Sequence, residues 1–211
     1  IGKAFLGGEV SDKIAQVLFV VRLPRVLAAV LIGGAMSLSG AAYQGMFKNP
    51  LVSPDILGSS AGAGFGAAVG ILLSFSVAGV KTSSFVCGIL AVSLTWFISQ
   101  RFGKGSDNLF LLILGGIIVS NLFQSLISLV KYAADPTDKL PAITFWLMGS
   151  LSKATMQDVK IMLVPFAVCT GILIFCSGQL NILALGDEEA KTLGVNTVLL
   201  QGFVIRSEEH T

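Results

Sequence analysis

Long uncharged apolar runs alternate with short polar joints along this chain. The runs occupy residues 26–47, 56–80, 82–100, 108–130 and 161–186, and a shorter one covers 140–152. Each of the first five reaches the roughly 20 residues that an α-helix needs to cross about 30 Å of hydrocarbon. The sixth is too brief to span and reads as interfacial or re-entrant. A transmembrane β-barrel is excluded, because its strands alternate polar and apolar residues in segments of about ten. The pattern predicts an all-α, polytopic transmembrane helical bundle with about five complete spans.

Two of these runs share a packing device. In the first, Ala29, Gly33, Ser37, Ala41 and Gly45 recur every fourth residue; in the second, Gly58, Gly62, Gly66, Gly70, Ser74 and Ala78 do the same. Lipid tails give helices no hydrophobic reason to associate, so close backbone approach through small residues is the usual adhesive. Both helices are expected to contact others along nearly their whole length. Between them lies "KNPLVSPDILGSS", where Pro50 and Pro54 end helices. Its freed backbone groups need protein partners, so this stretch cannot face lipid.

Composition sharpens the class. Apolar residues make up 54% of the 211 and charged ones 12%, against about 25% charged in soluble domains. Mean hydropathy is +0.84. A net charge of +2 spread over the joints gives no nucleic-acid signal. Cys87, Cys169 and Cys176 all lie in apolar runs, and Cys169 and Cys176, seven apart on one helix, are too distant to bridge. The single histidine, His210, stands next to the last residue. That excludes a histidine metal site or an intramembrane histidine base, and nothing in the sequence calls for a cofactor. The five long runs also lack any carboxylate. A secondary transporter would use one in an ion relay, and an embedded enzyme would need converging acid and base groups. A helical scaffold without transport function fits the packing ladders but not the polar features that follow.

Three sets of residues are candidates for function. Gly116, Ser120, Gln124 and Ser128 form one i, i+4 stripe, with Asn121 and Ser125 beside it. Either an interhelical hydrogen-bond seam or a water-lined pathway accounts for them. Such bonds average only about 0.6 kcal/mol, a modest reason to accumulate five polar residues. Arg22 and Arg25 flank Pro24 at the mouth of the first span. They either snorkel as anchors or meet an acidic partner. Finally, "LNILALGDEEAKTLGVN" reads as a short interfacial helix: Asp187, Glu188 and Glu189 suit its N-terminal dipole and Gly194 its C′ stop.

Three blocks carry a family resemblance: "RLPRVLAAVLIGGAMSLSGAAYQGMFKNPLVSPDILGSSAGAGFGA", "LPAITFWLMGSLS" and "LNILALGDEEAKTLGVN". In this order they resemble the permease subunits of bacterial ABC importers for iron–siderophore complexes, haem and cobalamin. The resemblance implies a ten-helix subunit of the inner membrane, paired with a second permease subunit and two cytoplasmic ATPases, and fed by an extracytoplasmic substrate-binding protein. It implies a transport subunit rather than an enzyme. Residues 1–205 would be part of that permease domain, holding the family's second to sixth helices and the start of the seventh. The tail "RSEEHT", residues 206–211, resembles the translation of a sequencing-adapter read-through and is set aside as non-native. By the same resemblance Arg22 and Arg25 dock the binding protein on the outer face. Leu185, Gly186, Asp187, Glu188, Glu189, Ala190, Leu193 and Gly194 belong to the segment that couples to the ATPase. Specificity among cargoes would reside in the binding protein.

Charge counting opposes this orientation. Lys13, Arg22, Arg25, Lys81, Lys131, Lys139, Lys153 and Lys160 would fall outside, and only Lys48, Arg101, Lys104 and Lys191 inside. The positive-inside rule favours the reverse. The family's first helix, which often dominates orientation, lies outside the resemblance.

Overall fold

The computed structural model describes residues 12–102 and 108–185. It is helical throughout these, in seven α-helices: α1 (Asp12–Gln16), α2 (Leu23–Phe47), α3 (Ser59–Leu72), α4 (Val77–Phe102), α5 (Asn108–Ala133), α6 (Lys139–Met148) and α7 (Met156–Leu185). Four stretches are long and apolar enough to cross a membrane: Ile14–Phe47, Val77–Phe102, Phe110–Ala133 and Met156–Gly178.

The uncharged run 56–80 does not make a fifth span. Pro54 opens a single 3₁₀ turn, Pro54–Leu57. Gly58, at φ +86°, then turns the chain into α3, which has 14 residues and so rises only about 21 Å. A turn at 73–76 follows, and the last residues of the run already belong to α4. Lack of charge registers solubility in lipid; it does not register the prolines and glycines that break a helix within the run.

α3 is the buried centre. Its glycines face α4 so closely that a Cβ on Gly62 would lie 2.5 Å from the Cys87 carbonyl oxygen, and one on Gly66 2.2 Å from that of Ser83. Ser83 Oγ donates to the Gly66 carbonyl at 2.9 Å. This ladder works as expected, apart from its upper rungs: Ser74 sits in the turn and Ala78 in the next helix. The ladder on α2 behaves differently. Ala29, Gly33, Ser37 and Ala41 are exposed, and a Cβ on Gly33 or Gly45 would meet nothing within 4 Å. Among the described residues this face of α2 meets no other helix. The helix packs on α7 by its other side, where Gly34 lies 3.4 Å (measured from an ideal Cβ) from the Phe166 ring.

The broken stretch between α2 and α3 has its backbone groups served. Lys48 ends α2 in a left-handed conformation, φ 50°. Asn49 Oδ1 accepts from Leu51 N–H at 2.9 Å, and Asp55 Oδ1 accepts from Ser60 N–H at 3.1 Å. The fully buried Thr95 hydroxyl donates to the Leu57 carbonyl at 2.9 Å. Non-helical backbone at membrane depth persists only with such partners. Around this turn Tyr43, Met46, Val52, Leu57, Val92, Leu112 and Leu173 form one cluster. A second, of Ala68, Val130, Ala134 and Ile143, sits at the other end.

α6, with 10 residues, is too short to span. Lys139 at its start donates to Ser74 Oγ at 2.6 Å, while Leu147 near its end packs against Gly64. Those contacts lie ten residues apart along α3 and the turn after it, so α6 runs beside α3.

Candidate functional site

The polar contacts gather at the end of the bundle where α2 begins. Pro24 lacks the N–H that would bond four residues back and crowds that carbonyl. The turn before it, Val17–Arg22, widens to π-helical spacing, and Leu23 N–H reaches Leu18 O. Such turns are frequent at functional sites; no sequence feature except Pro24 announces this one. Arg22 closes the π-helical turn and Arg25 stands in the first turn of α2, so the two share a side of the helix. Both are exposed. Arg25 lies 22 residues before Phe47, about 33 Å along the axis, just beyond a hydrocarbon layer of about 30 Å.

Arg25 is not free. Its Nη2 donates to the Ser152 carbonyl at 2.6 Å, fixing the 149–155 loop between α6 and α7 to the start of α2. Gly149, at φ +70°, ends α6, and Ala154 N–H bonds Leu151 O at 3.1 Å to close a four-residue turn. Ser150 Oγ accepts from Ser152 N–H at 3.1 Å. Thr155 and Asp158 then start α7 with a reciprocal cap: Thr155 N–H donates to Asp158 Oδ2 at 3.0 Å and Asp158 N–H to Thr155 Oγ1 at 3.3 Å. The T-x-x-D spacing of that cap was legible in the sequence. Asp158 also pairs with Lys81 of α4, a contact between residues 77 apart that no local signal reveals.

In the turn joining α5 to α6, Asp135 receives hydrogen bonds from the Thr137 hydroxyl and from the Thr137 and Asp138 amides. These hold its carboxyl below the usual carboxylate range.

The polar stripe on α5 divides. Gly116 and Ser120 turn inward: a Cβ on Gly116 would lie 2.1 Å from Ile56 O, and one on Gly58 2.9 Å from Ser120 Oγ. Asn121, Gln124, Ser125 and Ser128 are exposed. Ser125 and Ser128 hydroxyls return to carbonyls of their own helix, on Asn121 and Gln124, at 2.8 and 3.0 Å. Nothing among the described residues accepts or donates a hydrogen bond to the two side-chain amides. Among the described residues, Ser120 packs against the Gly58 turn, and the other four contact no neighbouring helix by hydrogen bonds.

A groove of about 530 Å³ opens beside the exposed ladder of α2, between Ser37, Gly40, Ala41 and Gln44 on one side and Pro50–Pro54 on the other. The described residues hold no group of three or more His, Cys, Asp or Glu able to bind a metal ion. Of the acidic segment, Leu185 is the last residue of α7. Gly186, Asp187, Glu188, Glu189, Ala190, Leu193 and Gly194 lie outside the described residues.

Comparison with known proteins places these features in context. Residues 1–206 match the sequence pattern of the FecCD transport family. The chain is 42% identical over 197 residues to the molybdate import system permease protein MolB of Haemophilus influenzae, covering 93% of this chain and 58% of that protein. It is 36% identical over 195 residues to the hemin transport system permease protein HmuU of Yersinia pestis, covering 88% and 56%. The chain thus spans somewhat over half the length of these relatives. Among solved structures, one described as an inward-facing conformation of a metal-chelate type ABC transporter superimposes with a TM-score of 0.83 at 37% identity. That match covers 96% of this chain and 66% of the other.

Proposed function

The chain belongs to the FecCD transport family, and on that premise we propose that it forms part of the permease subunit of an ATP-driven importer in the bacterial inner membrane. The observation that carries the reading is agreement of both sequence and shape, along nearly the whole chain, with a metal-chelate type ABC transporter. Cargo would cross between this subunit and a second one, past Asn121, Gln124, Ser125 and Ser128. These side chains are polar but uncharged, so they hydrate a passing ligand without holding it by opposite charge.

The cargo class is a metal-bearing chelate (ferric siderophore, haem or cobalamin) or a metal oxyanion. The two relatives above, permease proteins of a molybdate import system and a hemin transport system, support that range. ATP hydrolysis falls to separate cytoplasmic subunits. The segment from Leu185 through Gly194 would rest on them, and Arg22 and Arg25 would dock a soluble substrate-binding protein at the other end.

Expression of the intact permease with the ATPase and binding protein of its locus tests this. The expected result is a complex that retains the ATPase through purification and imports cargo only with ATP. Uptake that survives deletion of the ATPase and collapses with the proton gradient would instead establish a secondary transporter.

A further inference from the structure

We propose that Lys153 is a third cation of the docking surface formed by Arg22 and Arg25, and that the Arg25–Ser152 hydrogen bond sets it there. This rests on the docking reading of the arginine pair. The Ser152 carbonyl that accepts from Arg25 Nη2 at 2.6 Å belongs to the peptide bond leading into Lys153. Standard backbone geometry puts the Lys153 Cα within about 3 Å of that oxygen, hence beside the guanidinium. Lys153 is exposed at the third position of the turn closed by Ala154 N–H and Leu151 O. A turn corner points away from the chain on both sides of it. The turn keeps its shape through the Ser150–Ser152 bonds and the Thr155–Asp158 cap, while the Arg25 contact sets its position against the start of α2.

Charge singles out the partner. The ion pairs among the described residues are Lys81–Asp158 and Lys139–Asp138, and neither involves Arg22, Arg25 or Lys153. These three like charges therefore have no ion-pair partner among the described residues. An arginine has five N–H donors, and the Ser152 contact uses one, leaving the rest for a bidentate carboxylate. The surface therefore fits a protein that presents clustered Asp and Glu side chains.

Rim charges act mainly on association rate and its salt dependence. The intact permease, in nanodiscs of zwitterionic lipid, is tested against the soluble binding protein encoded with it. Lys153→Glu should slow association about tenfold and flatten its decline with added salt, leaving dissociation within about threefold. Lys153→Gln should fall between. In an Arg25→Ala background the Lys153→Glu effect should shrink below threefold, because the turn has lost its tie. A wild-type rate and salt slope in Lys153→Glu, with docking abolished in Arg22→Glu/Arg25→Glu, would overturn the role of Lys153 and leave the arginine reading standing. Wild-type docking by the double reversal would remove the arginine reading itself. An effect of Lys153→Glu confined to nanodiscs with anionic lipid would assign the residue to headgroups and overturn the proposal.

Discussion

Gly66 and Gly33 are the same residue in the same four-residue spacing, yet they meet different surroundings. A Cβ on Gly66 would fall 2.2 Å from a backbone oxygen of α4, whereas one on Gly33 meets nothing within 4 Å. Backbone cannot yield as a side chain can, so Gly66→Ala should separate α3 from α4 and cost about 2–3 kcal/mol. Gly33→Ala should leave the stability of this chain unchanged or slightly raised, as alanine is the better helix former by up to about 1 kcal/mol. Reversible unfolding in mixed micelles measures both. Thr95 is the matching polar case. Its hydroxyl serves the Leu57 carbonyl in a fully buried position, and an unserved buried carbonyl costs about 1–3 kcal/mol. Thr95→Val should show that loss in the same assay and Thr95→Ser should recover most of it. The glycine spacing was legible in the sequence, and it announced close approach. Which of two equal ladders is used depends on the partner helix, and a ladder carries no mark of that. Thr95 gave no signal at all, since a threonine in an apolar helix ordinarily bonds its own preceding turn, as this one also does to Ala91.

At the level of elements, charge and proline governed what was readable. Prolines placed the breaks around 50 and 54 correctly, and the shortness of 140–152 announced a helix too short to span, as α6 is. The uncharged stretch 56–80 misled because a broken helix and a continuous one have the same hydropathy; only Gly58 at positive φ and the turn at 73–76 distinguish them. The joint between α5 and α6 gives a pH test. Hydrogen bonds to Asp135 favour its ionised form, so its carboxyl titrates lower in the folded turn than in the unfolded chain. The sign follows from linkage: this contribution is complete above the unfolded value of about 3.9 and disappears as pH falls through the depressed folded value. Protection of the Thr137 and Asp138 amides from hydrogen exchange, corrected for intrinsic rates, should therefore drop as the medium is acidified past that range. Asp135→Asn should remove the pH dependence. An unchanged acid response in that variant would place the titration on another group.

For the molecule as a whole, the described surface shows two faces that a membrane alone would not favour. One is the small-residue side of α2 with its groove; the other is the line Asn121, Gln124, Ser125 and Ser128 on α5. For the second, the polar residues of the sequence left a packing seam and a water-lined pathway both open. Among the described residues the amides and hydroxyls of these four reach no other helix. Gln124 stands 16 residues from the start of α5 and nine from its end, near the middle of the bilayer's depth. An amide facing hydrocarbon there without a partner would cost several kcal/mol. It must be covered by water or by protein. These two coverings differ in what reaches a thiol at that position. In the intact permease, in a background without other reactive cysteines, Gln124→Cys should react readily with a small charged thiol reagent from the aqueous side. Leu122→Cys, exposed in the chain but about 160° round the helix from Gln124, should react at least tenfold more slowly. Cargo supplied with the ATPase complex should slow labelling at Gln124→Cys by occupying the route. If Gln124→Cys stays unreactive while Leu122→Cys labels, the line on α5 packs against another protein surface, and the cargo must pass elsewhere.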